Sequence, residues 1–330
     1  MSNTELIELI LEDNITLLNT SHFSSNFTAH ELKQMKHALM LNSSVESIEL
    51  ENIEIKPDIW HLLSESLTLN DSVKSFSLTN IKGLVNNITA LKKVIIFNTS
   101  IEHLTISSHA DGNRVFTEIG DAVAKNTKLK ELVLTNSNLK SSAIERLAEI
   151  IKTTRTIVDI NISHQKLISE HLRDIAEALK ENKSLTSLHL NNTGIDDKGL
   201  SNLAENLAEN DCLTTLSLAY NTLSHETAMP LVELLGGSHI LKNINLSNNQ
   251  LDPYFAADLA KTFELNPQIT SLDLSDNKLL DLGATMIARY ATKLNSLTTL
   301  NLANNNVTEL GIYMVDEALK LVGKPDDFLI

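Results

Sequence analysis

The sequence predicts an α/β solenoid, with a parallel inner sheet of about ten short strands and helices on the outer side. Two observations carry this. Ten segments read apolar-x-x-apolar-x-apolar. Their first residues, Val45, Val73, Ile101, Leu129, Ile157, Leu185, Leu213, Leu241, Ile269 and Leu297, follow one another every 28 residues without a slip. In the second half of each interval the apolar spacing changes to the i, i+3, i+4, i+7 of a helix face. A fixed period of this length marks a stack of repeats, each unable to bury its apolar face alone.

Taken in chain order, residues 1–44 read as an N-terminal cap. The stretch 4–18 is apolar on one side and covers the open end of the core. Thr28 and Glu31 fit a capping box. Phe27, Leu32, Met35 and Leu39 fall on positions 11, 16, 19 and 23 of the frame, so a degenerate partial unit precedes Val45. Residues 45–324 hold the ten repeats. Positions 1, 4 and 6 are Leu, Ile, Val or Phe in all ten. With 42% of the chain apolar, thirty such hits have chance odds on the order of 10⁻¹¹ in a chosen frame. Positions 4 and 6 point to one face of a strand, and positions 3, 5 and 7 to the other. Positions 16, 19, 20 and 23 form the helix stripe, as in Leu172, Ile175, Ala176 and Leu179. Helix starts are marked at position 12 by Ser224, by Asp252 before Pro253, and by Thr308. Helix ends are marked at position 26 by Asn42, Asn70, Asn98, Asn126, Asn182, Asn210 and Asn266, expected in the left-handed conformation. Residues 325–330 leave the frame as a C-terminal tail, either an end cap or an exposed translocation signal.

One clear copy reads Ile269-Thr-Ser-Leu272-Asp-Leu274-Ser-Asp-Asn277-Lys-Leu279. This resembles the leucine-rich repeat, L-x-x-L-x-L-x-x-N-x-L. The repeat length and helical second half are similar to the ribonuclease-inhibitor and NOD-like-receptor subclass. The resemblance implies a horseshoe-shaped solenoid that binds proteins on its curved inner surface, an enzyme it inhibits being one such partner. The chain also resembles the leucine-rich-repeat effectors of intracellular bacteria such as Legionella. It is rich in Asn, Ile, Lys and Ser, has the single cysteine Cys212, and therefore lacks cysteine-paired caps. That resemblance implies a virulence effector made in the bacterial cytoplasm, secreted and translocated to the host cytosol. A ubiquitin-ligase adaptor is the alternative.

Turn chemistry varies along the stack. Position 9 is Asn only in the last four units, as Asn221, Asn249, Asn277 and Asn305, where an amide can satisfy buried backbone groups. Earlier units carry Ile53, Ile81, His109, Ser137, Gln165 and Thr193. Position 11 is lost at Gly83 and Asp111. These departures predict an irregular turn and a looser stack over residues 82–114.

The candidate binding surface is the concave sheet face: Glu49, Ser77, Thr105, Asn161, His189, Ser217, Asn245, Asp273 and Asn301 at position 5, with Tyr220 as the lone aromatic. On that face Glu46, Glu49 and Glu51 cluster on the first strand, which points to a partner with basic groups there. The net charge of −15 argues against nucleic acid and anionic membrane as partners. No nucleophile–base pair, phosphate loop or metal-spaced cluster is evident, so the expectation is a non-enzymatic, monomeric protein-interaction module with no cofactor, no metal and no small-molecule substrate. Glu5, Glu8 and Glu12 interrupt the first apolar stretch, which is unlike a secretory signal. Trp60, at position 16, is expected in the core.

Overall fold

The computed structural model describes residues 2–23, 27–237, 240–263, 268–320 and 328–329. The chain divides into two compact units, Met1–Asn161 and Ile162–Ile330. The division falls inside the repeat that begins at Ile157, between its strand and its helix.

In the first unit the elements are α1 (Asn3–Leu11), β1 (Leu17–Asn19), α2 (Thr20–Phe23), α3 (Ala29–Leu41), β2 (Ser47–Glu51), α4 (Pro57–Leu67), β3 (Ser75–Thr79), α5 (Ile88–Phe97), β4 (His103–Ser107), α6 (Gly112–Lys125), β5 (Glu131–Val133), α7 (Ser141–Thr153) and β6 (Asp159–Asn161). The second holds α8 (Ser169–Glu181), β7 (Ser187–His189), α9 (Asp197–Leu207), β8 (Thr215–Ser217), α10 (Ala228–Gly237), β9 (Asn243–Asn245), α11 (Pro253–Thr262), β10 (Ser271–Asp273), α12 (Leu280–Ala291), β11 (Thr299–Asn301), α13 (Glu309–Lys320) and β12 (Phe328–Leu329). Within each unit successive strands pair in parallel, with partners 28 residues apart from β2 onward. The repeat period is thus the sheet register itself.

All thirty residues at positions 1, 4 and 6 are buried, none more than 5% exposed. They fill the layer between strands and helices with the helix stripe, including Trp60 at 1% exposure. The expected helix starts are present. Asp252 accepts hydrogen bonds from the backbone N–H groups of Tyr254 and Phe255, and Ser224 from that of Glu226. Thr28 and Glu31 close a reciprocal capping box at the start of α3.

The helix ends differ from expectation. Asn42, Asn98, Asn126 and Asn182 have extended backbones, not left-handed ones. Their side chains explain the choice of residue. The Asn70 amide donates to the carbonyls of Leu39 (2.8 Å) and Asn42 (3.1 Å), while its Oδ1 accepts from the N–H groups of Ser72 (3.1 Å) and Val73 (2.9 Å). Asn98 and Asn210 repeat the pattern toward Leu67 and Leu179. A side-chain amide carries both a donor and an acceptor, so one residue ties the helix end of one repeat to the strand entrance of the next. Asn266 lies outside the described residues.

The left-handed conformation occurs instead at position 8, just past each strand. Asn52, Asn80, Ser108, Asn136, His164, Asn192, Tyr220, Asn248, Asp276 and Asn304 all have φ between 50° and 60°. Eight of these N–H groups reach the next repeat, as Asn52 to Thr79 O (3.0 Å) and Asn248 to Ser275 O (2.9 Å). Asn and Asp tolerate this region best among residues with a Cβ.

Two strands lie beyond the ten. β1 was hidden because Leu17 pairs with Ser47, thirty residues on, whereas later neighbours are 28 apart. At the other end, Phe328 and Leu329 pair with Leu300 and Asn301 in the ordinary register. These two tail residues therefore continue the frame rather than leave it. Residues 325–327 and Ile330 lie outside the described residues.

Irregularity over residues 82–114 is confined to the turns. Gly83 is left-handed (φ 68°) and opens a 3₁₀ turn at Leu84–Asn87. The strand layer there does not loosen: β3 and β4 pair over five residues. His109 replaces the missing amide at position 9, its Nε2–H donating to Leu78 O at 3.1 Å. Its burial lowers its pKa. The last four units use Asn as expected. Asn221 donates to Leu190 O and Leu218 O and accepts from the N–H groups of Thr193 and Ile195, all within 3.0 Å.

Candidate protein-binding surface

The strand face opposite the helices carries the candidate residues, and the register places them in rows. In the first unit Glu49, Ser77, Thr105, Val133 and Asn161 are consecutive partners. In the second, His189, Ser217, Asn245, Asp273 and Asn301 are. Pairing extends the first row to Asn19 and the second to Leu329, which is 57% exposed. Neither residue is legible from the unbroken frame, though Ile15 and Leu18, thirty residues before Val45 and Ile48, are the signal for the first.

Not every member of the rows is free for a partner. Ser217 is 6% exposed, and its hydroxyl donates to Asn191 Oδ1 at 2.6 Å. Asn191 Oδ1 also accepts from Ala219 N–H, so the group closes a local turn. Asn245, Asp273 and Asn301 are half-buried, and each accepts from the N–H two residues on, at 2.9, 3.0 and 3.2 Å. Tyr220, at position 8, is 61% exposed.

The charge on this face sorts itself by pairing. Glu102 binds Lys130 at 2.7 Å, and this hydrogen bond holds its carboxyl below the usual range. Glu131 takes His103 Nδ1 at 2.7 Å. Glu46, Glu49 and Glu51 are exposed, and among the described residues none of the three forms an ion pair. Glu49 and Glu51 lie on one open depression of about 510 Å³, lined by Leu17, Asn19, Thr20, Ser21, Glu49, Leu50, Glu51, Ser77 and Thr79. The wall is fastened: Thr20 Oγ1 accepts from Glu51 N–H (2.7 Å) and donates to Glu51 O (3.1 Å). No lysine or arginine lines it. The polar stretch near His109 is largely structural, since His109 and Ser107 are buried.

Among the described residues no three His, Cys, Asp or Glu side chains converge as a metal set, and no helix is long and apolar enough to cross a membrane.

Three segments, residues 181–204, 265–288 and 293–315, match the leucine-rich-repeat family model. Over these three segments the chain is similar to leucine-rich repeats. No curated protein matches it. A chain in the crystal structure of the yeast Rad7–Elc1 complex aligns with a TM-score of 0.58 and 15% identity, over 93% of this chain and 75% of that one. The C-terminal domain of Caenorhabditis elegans tropomodulin aligns at 0.36 and 20%, over 54% and 91%. Actin-binding site 2 of leiomodin-1 aligns at 0.36 and 15%, over 55% and 88%. At 15% identity the likeness to the Rad7–Elc1 chain is one of fold. The leucine-rich repeat is typically an interaction scaffold rather than a catalyst.

Proposed function

We propose that this chain is a non-enzymatic protein-binding module that takes a basic protein segment on its strand face, at the depression between β1 and β3. The observation that carries the reading is the pair of unneutralised carboxylates, Glu49 and Glu51, on a polar concavity fastened by Thr20. A lysine or arginine entering it replaces water at a carboxylate, and removing one partner of such a desolvated pair costs roughly 2–5 kcal/mol. Charge reversal of Glu46, Glu49 and Glu51 to lysine is therefore expected to weaken binding by at least about 30-fold. An unchanged affinity removes the reading.

The fold shared with a chain of the Rad7–Elc1 complex supports adaptor-like binding, and the repeat length supports the inhibitor variant of the same reading. A ubiquitin-charging assay separates an adaptor from a ligase. The effector role is supported by composition and the resemblance stated above. A chain truncated after Val322 that still reaches the host cytosol removes the tail as its signal. Binding as a monomer is checked by sedimentation of the complex.

A further inference from the structure

The helix side of the first unit presents a feature that packing does not use. Position 25, at the helix end or just past it, is Leu41, Leu69 and Phe97 in three successive repeats, exposed by 66%, 66% and 61%. Ile96 beside them is 47% exposed. The same position in the next repeat is Lys125. Large apolar side chains exposed at one position in successive repeats are the kind of surface that interaction sites use. Here it borders a groove of about 600 Å³ lined by Lys36, Met40, Glu65, Thr68, Leu69, Lys93 and Phe97, across α3, α4 and α5.

The rim is basic in a chain of net charge −15. Lys36 and Lys93 flank the apolar floor, and one carboxylate, Glu65, serves Lys36 at 2.6 Å and His61 at 3.5 Å. The Lys36 hydrogen bond, with the fields of His61, Lys36 and Lys93, holds the Glu65 carboxyl below its usual range. One anion thus stands against two lysines and a histidine.

We propose that this groove docks an acidic amphipathic helix of a partner protein. Packed helices lie about 8–10 Å apart, so the row presents apolar contacts at that interval. An α-helix rises 1.5 Å per residue and offers side chains of one face at about 10.5 Å, seven residues apart. Leucines at that spacing fit the row, and glutamates on the flanks meet Lys36 and Lys93. A second copy of this chain fits less well, because a twofold contact sets the lysines of both copies against each other.

The test uses a labelled synthetic peptide of about 18 residues with leucines at i, i+3, i+7, i+10 and i+14 and glutamates on both flanks, and a twin with lysines in their place. Fluorescence anisotropy is expected to show saturable binding of the acidic peptide, at least about ten-fold tighter than of its twin. Leu69→Asp with Phe97→Asp is expected to abolish it. Lys36→Glu with Lys93→Glu is expected to reverse the preference, which keeps the test decisive if the first pair impairs folding. Equal binding of both peptides, or none, overturns the proposal. So does a dimer lost in the Leu69→Asp, Phe97→Asp chain, or binding to anionic vesicles in place of the peptide.

Discussion

Replacing Asn70 with alanine is expected to destabilise the first unit by about 3 kcal/mol, which follows from what its amide holds. Asn70 is 2% exposed. Without it, Leu39 O loses its donor, and the N–H groups of Ser72 and Val73 lose their acceptor. Asn42 O keeps a hydrogen bond from Ser72 Oγ at 3.1 Å, so three groups are orphaned rather than four. Each costs about 1 kcal/mol or more when left unpaired away from water. The protein carries its own control. Thr154 stands at the same repeat position, and its hydroxyl accepts from Thr156 N–H (3.3 Å) and Ile157 N–H (3.2 Å). Asn70→Thr preserves that acceptor role and is expected to cost about half as much. Urea unfolding followed by fluorescence measures both, because the one tryptophan, Trp60, is buried in this unit at 1% exposure. A loss below about 1 kcal/mol for the alanine, or equal losses for alanine and threonine, refutes the argument from bridging amides.

Tyr220→Asn is expected to stabilise the second unit by up to about 1 kcal/mol in thermal unfolding, since a bulky residue at φ 56° is strained where six other repeats have Asn. The same substitution weakens partner binding if the exposed ring is an anchor. Glu5, Asp13 and Glu31 have depressed pKa values, each chiefly from backbone hydrogen bonds, to Ser2, Ser43 and Thr28 respectively. A depressed carboxyl binds protons more readily in the unfolded chain, so its contribution is present above the unfolded pKa and lost as pH falls through the folded one. Amide protection in α1 and α3, relative to the intrinsic exchange rate at each pH, is expected to fall on acidification below about pH 4, ahead of α8 and α9. Burial raises the Cys212 thiol. Its reaction with a disulfide reagent near pH 8 is expected to run slower than in urea, and equal rates contradict its placement.

The fold was legible because its period is also its register. Residues at positions 1, 4 and 6 face one core in every repeat, and burial leaves no alternative for them. What the sequence concealed followed from single residues with two possible jobs. Asn at position 26 suits a left-handed cap as well as an amide bridge, and only the neighbouring repeat decides. The left-handed turn at position 8 is held by Asn, Asp, Ser, His or Tyr, so composition alone blurs it. β1 escaped through a two-residue lengthening of one connection, and with it went Asn19, Thr20 and Ser21, the wall of the acidic depression. Phe328 sits at position 4 of an eleventh unit whose position 1 is Pro325, which broke the apolar signature. Strand alternation places the candidate site residues on one face, but it does not show that the Ser217 hydroxyl is held by Asn191, a partner 26 residues earlier.

The most direct measurement is a capture of binding proteins from cell lysates by three baits: the wild-type chain, the Glu46→Lys, Glu49→Lys, Glu51→Lys chain, and the Leu69→Asp, Phe97→Asp chain. A basic protein held by the wild type and by the helix-side variant, and lost from the strand-face variant, is the predicted result. A set of captured proteins that the strand-face variant retains unchanged contradicts recognition through the acidic depression.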